Sequence, residues 1–111
     1  MRHILFTLKG CPFELLDDEA HIRDMLCTAA RVSKSTLLNI ASHKFNPHGV
    51  TAVALLAESH ISIHTWPENG NAVCDVFTCG DHTSPRTAAV YMHEAMDASD
   101  IIMETFERPP Q

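Results

Sequence analysis

Long hydrophobic runs are missing from this chain. The longest uninterrupted apolar stretch covers residues 52–57, whereas a bilayer-spanning helix needs roughly 20. The N-terminus also lacks the layout of a secretory signal. A cytoplasmic protein that does not cross a membrane is the expectation. Basic residues are scarce too: 8 Lys and Arg stand against 14 Asp and Glu, a formal charge of −6. With no basic cluster, the counterion release that drives nucleic-acid binding has no source, so nucleic acid is not an expected partner. The low hydrophobicity and excess charge of a disordered chain are absent as well, because 45% of residues are apolar and 20% charged. Cys11, Cys27, Cys74 and Cys79 come without a secretory signal and are read as reduced thiols rather than a disulfide framework. At 111 residues the chain is one domain, residues 1–111, able to bury roughly 60–70% of its unfolded surface.

What is present is a run of short segments with clear periodicity. Residues 4–8 read as a strand ended by Lys9-Gly10-Cys11-Pro12. From Asp17 or Asp18 as N-cap, Ile22, Met25, Leu26, Ala29 and Ala30 recur at one helical face. Strands follow over 36–40 and 50–57, the latter expected to be central, and over 61–66, where β-branched residues alternate. Pro67-Glu68-Asn69-Gly70 supplies the Asn-Gly of a tight hairpin whose return strand is 72–77. After the turn at Gly80-Asp81, Ser84-Pro85 offers an N-cap and a first-turn proline, with Ala88, Ala89, Met92, Ala95 and Met96 as the apolar stripe. A last strand spans 101–106. The order β-α-β-β-β-β-α-β predicts an α+β fold, a two-layer α/β sandwich with a largely antiparallel sheet and two helices on one face.

Reactive side chains concentrate in Glu58-Ser59-His60-Ile61-Ser62-Ile63-His64, with Cys79 beyond the hairpin. The residue types of His60, His64, Cys74 and Cys79 would suit zinc, yet in a strand His60 and His64 lie roughly 13 Å apart, so no metal site is expected. Ser59 or Ser62 near a histidine would suit a hydrolase, but no G-x-S-x-G elbow surrounds either. Plain structural roles on a polar or interface face, with Cys79 as a small buried residue, remain open on the residues alone.

The stretch Gly49-Val-Thr-Ala-Val-Ala-Leu-Leu-Ala-Glu-Ser-His-Ile-Ser-Ile-His-Thr-Trp-Pro-Glu68, continuing through Asp75-Val-Phe-Thr-Cys-Gly80, closely resembles the short prokaryotic S-adenosylmethionine decarboxylase proenzymes. Arg2-His-Ile-Leu, Gly10-Cys11 and Leu15-Leu-Asp-Asp18 extend the likeness to the N-terminus. The resemblance implies self-cleavage between Glu58 and Ser59, giving a 1–58 β chain and a 59–111 α chain. Ser59 then becomes a covalent pyruvoyl group, the cofactor, whose carbonyl forms a Schiff base with the substrate amine and accepts the electrons left by CO2. It further implies that His64 assists processing, that Thr51 occupies the place of a serine helping the ester step, and that Cys79 delivers a proton after decarboxylation.

By the same resemblance Phe45, Trp66 and Glu68 bind substrate, the aromatic stacking on adenine and the carboxylate holding ribose hydroxyls. The product would be the aminopropyl donor for spermidine synthesis, and a homodimer of processed protomers is expected, since family sites lie near subunit contacts. This chain departs from the pattern in Asn69 and Asn71 at the hairpin tip, in Thr51-Ala52, and in Glu107-Arg108-Pro109 where the family has Glu-Arg-Gly. Ornithine or arginine decarboxylation on the same fold and an unprocessed, non-catalytic regulatory subunit are the rival readings.

Overall fold

The computed structural model describes residues 1–79 and 83–109; the Gly80-Asp81 turn lies outside them. Six strands form one sheet: β1 (Arg2–Lys9), β2 (Leu37–Lys44), β3 (Val50–Leu56), β4 (Ser59–Trp66), β5 (Asn71–Thr78) and β6 (Asp100–Glu107), in the order β2-β3-β4-β5-β1-β6. Each neighbouring pair is antiparallel. The helices are α1 (Phe13–Leu16), α2 (Glu19–Val32) and α3 (Pro85–Ala95). Asp18 caps α2 by accepting the His21 N–H at 3.0 Å, and Ser84 caps α3 ahead of Pro85. Both caps sit where the sequence pattern placed them.

The sheet alternates because a strand sends successive side chains to opposite faces. Ile61, Ile63, Cys74, Val76, Ile4, Phe6 and Leu8 point into the layer shared with Ile22, Met25, Leu26, Ala29, Ala88, Ala89 and Met92 of the helices, and this is the core. The other face has no helix against it among the described residues. Leu5, Leu55, Val73, Ile102 and Phe106 stand exposed there, on four different strands. An apolar sheet face of this breadth is a candidate contact surface.

Four local expectations change. The segment after Pro12 closes a single turn of helix, α1, too short to leave a periodic signature. Strand β2 runs on to Lys44 instead of ending at Ile40, because an edge strand tolerates the polar Ser42-His43-Lys44. The Asn69-Gly70 hairpin is a four-residue connection: Pro67–Asn69 form a 3-10 turn and Gly70 takes the left-handed conformation at φ 71°. Strand β3 is interior but second from the edge, so β4 and β5 form the sheet centre.

Thr65 joins the layers. Its buried hydroxyl donates to the Leu16 carbonyl at 2.7 Å and accepts from the Val50 N–H at 2.8 Å, tying α1 and β3 to β4. Thr65→Val keeps the shape and strands both backbone groups, which costs about 1–3 kcal/mol each when buried. Chemical denaturation is expected to show a loss of about 2 kcal/mol or more; an unchanged midpoint would show the two bonds to be energetically idle.

Candidate active site

Two clusters of functional side chains lie at opposite ends of β4. The first is built on the two-residue turn between β3 and β4, closed by the Leu56–Ser59 pair. Glu58 sits there at φ 61°, a left-handed conformation that costs a residue with a β-carbon roughly 1–2 kcal/mol. Strand β5, paired to β4, ends opposite this turn and delivers Cys79 to it. The Cys79 N–H donates to Ser59 Oγ at 3.1 Å, and the Cys79 thiol donates to the Glu58 carbonyl oxygen at 3.0 Å. The peptide bond between Glu58 and Ser59 is thus held with its carbonyl polarised and its neighbouring hydroxyl fixed.

Cys79 also differs from two of the other three cysteines in its surroundings. Burial, with a smaller contribution from Asp97, pushes the Cys11 thiol up to about 11, and burial pushes Cys74 well above its ordinary value. Neither can supply a thiolate at neutral pH. Cys74 points into the core, away from the face that carries His60 and His64, so His60, His64, Cys74 and Cys79 do not converge on one point.

The second cluster is centred on His64, whose Nδ1 lies 3.1 Å from Thr51 Oγ1 across the β3–β4 pairing. These two share a pocket of about 340 Å³ with Phe45, Trp66 and Glu68. Phe45 comes from the β2–β3 connection, closed by the Phe45 N–H to Gly49 carbonyl bond at 2.8 Å. Asp17 anchors that connection, accepting the Gly49 N–H at 2.8 Å and pairing with Lys44 at 2.9 Å. The backbone bond and the ammonium together hold its carboxyl below the ordinary range. Glu68, on the 3-10 turn, is 3.3 Å from His48 Nε2. Ser59 and His64 are five residues apart on one strand, roughly 16 Å, so a single protomer does not bring the clusters together.

Between them, on β5, stands Asp75. His3 and His60 each donate Nε2–H to its Oδ2 at 2.7 Å, and the Ser62 hydroxyl donates to Oδ1. Burial pushes the Asp75 carboxyl up, but the bonds from Ser62, His3 and His60 outweigh it and the net displacement is downward. A carboxyl lowered on folding stabilises the protein above its unfolded value of about 3.9 and loses that contribution as pH falls through the folded value. Asp75→Asn is therefore expected to flatten the acid limb of stability below about pH 4, and to cost roughly 1–3 kcal/mol at neutral pH by orphaning its donors. Urea melts across a pH series read both; an unaltered acid limb would assign the acid sensitivity elsewhere.

His3 and Asp75 were not singled out by sequence reasoning. The available signal was Asp75 itself, a charge in the apolar strand Ala72-Val-Cys-Asp-Val-Phe77. Its register partner, Ser62, lies between His60 and His64 on the same face of β4. A cavity of about 590 Å³ adjoins the first cluster and is lined by Glu58, Cys79, His60, His3, Phe77 and Arg108.

The fold is an antiparallel two-layer α+β sandwich, and at one hairpin tip a cysteine thiol and a serine hydroxyl flank a single peptide bond. The comparisons make this particular. The family model described as S-adenosylmethionine decarboxylase matches residues 2–109, and the chain belongs to that family. It is 50% identical over 107 residues to an S-adenosylmethionine decarboxylase proenzyme of Synechococcus sp. (strain WH7803), covering 96% of this chain and 84% of that one. The corresponding proenzyme of Caldanaerobacter subterraneus subsp. tengcongensis is 43% identical over 113 residues, at 97% and 91% coverage. The crystal structure of the adenosylmethionine decarboxylase from Aquifex aeolicus superposes with a TM-score of 0.91 at 38% identity, covering 99% of this chain and 91% of that one.

Proposed function

We propose that this chain is a proenzyme that cuts its own Glu58–Ser59 bond, carries the pyruvoyl group derived from Ser59, and decarboxylates S-adenosylmethionine in the cytoplasm as a homodimer with shared sites. The observation that carries the reading is the pair of bonds from Cys79 to Ser59 Oγ and to the Glu58 carbonyl. Attack of the Ser59 hydroxyl on that carbonyl develops negative charge on the oxygen that the thiol already faces, and a donor placed there lowers the barrier. Once formed, the pyruvoyl carbonyl supplies the electron sink that no side chain offers. The Cys79 thiol, beside it, is the proton source for the substrate carbon.

The substrate's adenine and ribose call for an aromatic face and a hydrogen-bond acceptor. Phe45, Trp66 and Glu68 supply these in one pocket, together with Thr51 and His64. That pocket lies about 16 Å along β4 from Ser59, while the face between the two clusters exposes Leu5, Val73 and Ile102. Stacking two such faces about a two-fold axis covers the apolar side chains. It also lays the His64 cluster of one protomer against the Ser59 cluster of the other. The free cysteines fit a reducing compartment.

Co-expression of Ser59→Ala with His64→Ala chains tests the reading. Each variant alone is expected to be defective in cleavage and silent in CO2 release. Random pairing leaves about a quarter of the sites complete, with Ser59 and His64 on different chains. Recovered release from S-adenosylmethionine, and none from ornithine or arginine, is the expected result. No recovery from chains shown to be mixed dimers would overturn the shared site, and release only from a basic amino acid would overturn the substrate.

A further inference from the structure

His3, His60 and Asp75 stand on three adjacent strands, with Asp75 on β5 between His60 on β4 and His3 on β1. Both histidines are in register with Phe77, whose ring lies 5.4 Å from His3 and 6.0 Å from His60 between centroids, so the two imidazoles rise at the same level over one carboxylate. We propose that these three side chains form a binding site for a divalent transition-metal ion of the zinc class, with a fourth coordination position open to the 590 Å³ cavity.

Geometry and chemistry both support the site. One donor atom from each residue lies within 4.8 Å of the others. Bonds of about 2.0–2.2 Å to imidazole nitrogen and carboxylate oxygen place tetrahedral ligands roughly 3.4 Å apart, so the two 2.7 Å contacts to Asp75 open by less than about 1 Å to admit an ion, within reach of side-chain rotation. Each ligand comes from a sheet strand, which limits how far the set can relax. Two imidazoles and one carboxylate suit Zn²⁺, Co²⁺, Ni²⁺ or Cu²⁺, whereas Mg²⁺ and Ca²⁺ prefer an all-oxygen shell. The Ser62 hydroxyl on Asp75 Oδ1 orients the carboxylate from outside, the usual support for a metal-binding oxygen.

At present two N–H donors share the single oxygen Oδ2. Arg108 Nη1 donates to His3 Nδ1 at 3.1 Å and so keeps the ring proton on Nε2. Ligation through Nε2 moves that proton to Nδ1, with no net proton released, and the exposed Arg108 side chain turns away. Metal uptake therefore competes with Arg108. An ion bound here would sit on the wall of the cavity that Glu58 and Cys79 also line.

The test uses the Ser59→Ala precursor, which keeps all three ligands and does not depend on cleavage or turnover. Titration with Co²⁺ is expected to produce the visible bands of a four-coordinate ion, saturating at one ion per chain, displaced by Zn²⁺ and indifferent to Mg²⁺. Adding Asp75→Asn or His60→Gln is expected to weaken binding by about 100-fold or more, with His93→Gln as an unaffected control and the melting curve of each variant as the check on folding. Arg108→Ala is expected to bind several-fold more tightly. Cobalt affinity that survives both ligand substitutions in folded protein would overturn the site. So would a thiolate-to-cobalt charge-transfer band that disappears with Cys79→Ser, because the ion would then belong to the cysteine.

Discussion

Ser59→Ala is expected to leave one chain at the full 12.3 kDa, with no fragments, no reactive carbonyl and no detectable turnover. Ser59 is partly exposed at the start of β4, and its hydroxyl accepts one hydrogen bond, from the Cys79 N–H. Its removal therefore leaves no buried group stranded, and the variant should fold. Denaturing intact mass spectrometry decides the matter. The unsubstituted protein should appear as fragment 1–58 and a fragment beginning at a blocked residue 59, and both should vanish in the variant. A single full-length chain in the unsubstituted, folded protein would sink the self-cleavage reading at once.

Cys79 should show two separable losses. Its thiol faces the Glu58 carbonyl, so under the proposed self-cleavage Cys79→Ala is expected to slow cleavage by about 100-fold, the usual consequence of removing one oxyanion donor. Its backbone N–H to Ser59 Oγ is retained and limits the damage. In protein that has nevertheless been processed to completion, kcat is expected to fall by about 10²–10⁴-fold, the range for loss of a general acid. Cys79→Ser separates the roles: a hydroxyl still donates a hydrogen bond, so cleavage recovers, while its poor acidity leaves kcat low. Time-resolved mass spectrometry reads the first rate and steady-state CO2 release the second. Equal recovery of both rates in Cys79→Ser would show that the thiol has no special part in proton transfer.

Periodicity located the helices α2 and α3 and the strands β1, β3, β4 and β5 because each buries one face, and burial leaves a repeat in the sequence, whereas the edge strands β2 and β6 have no fully buried residue. Ile22, Met25, Leu26, Ala29 and Ala30 are all buried, as their spacing required. Single-turn elements had no such repeat: α1 and the 3-10 turn at Pro67 follow from backbone bonds to Pro12 and Pro67 carbonyls. The polar half of β2 was hidden for the opposite reason, since an edge strand buries too little to show alternation.

The chain's sequence by itself determined its strand and helix content, the reactive Glu58-Ser59-His60 run, the isolation of Cys79 beyond the hairpin, and its family through motifs that span nearly its whole length. Only the tertiary structure decided which of these meet. Antiparallel pairing of β4 with β5 puts Cys79 on Ser59, 20 positions away, and the β3–β4 register sets Thr51 opposite His64. The same sheet order gathers His3, His60 and Asp75 from three strands, including a β1 contributed by the start of the chain. The period of a strand shows which face a side chain takes, but hydrogen-bonded register and strand order fix its neighbours on that face, and they arise from packing the whole sheet against α2 and α3.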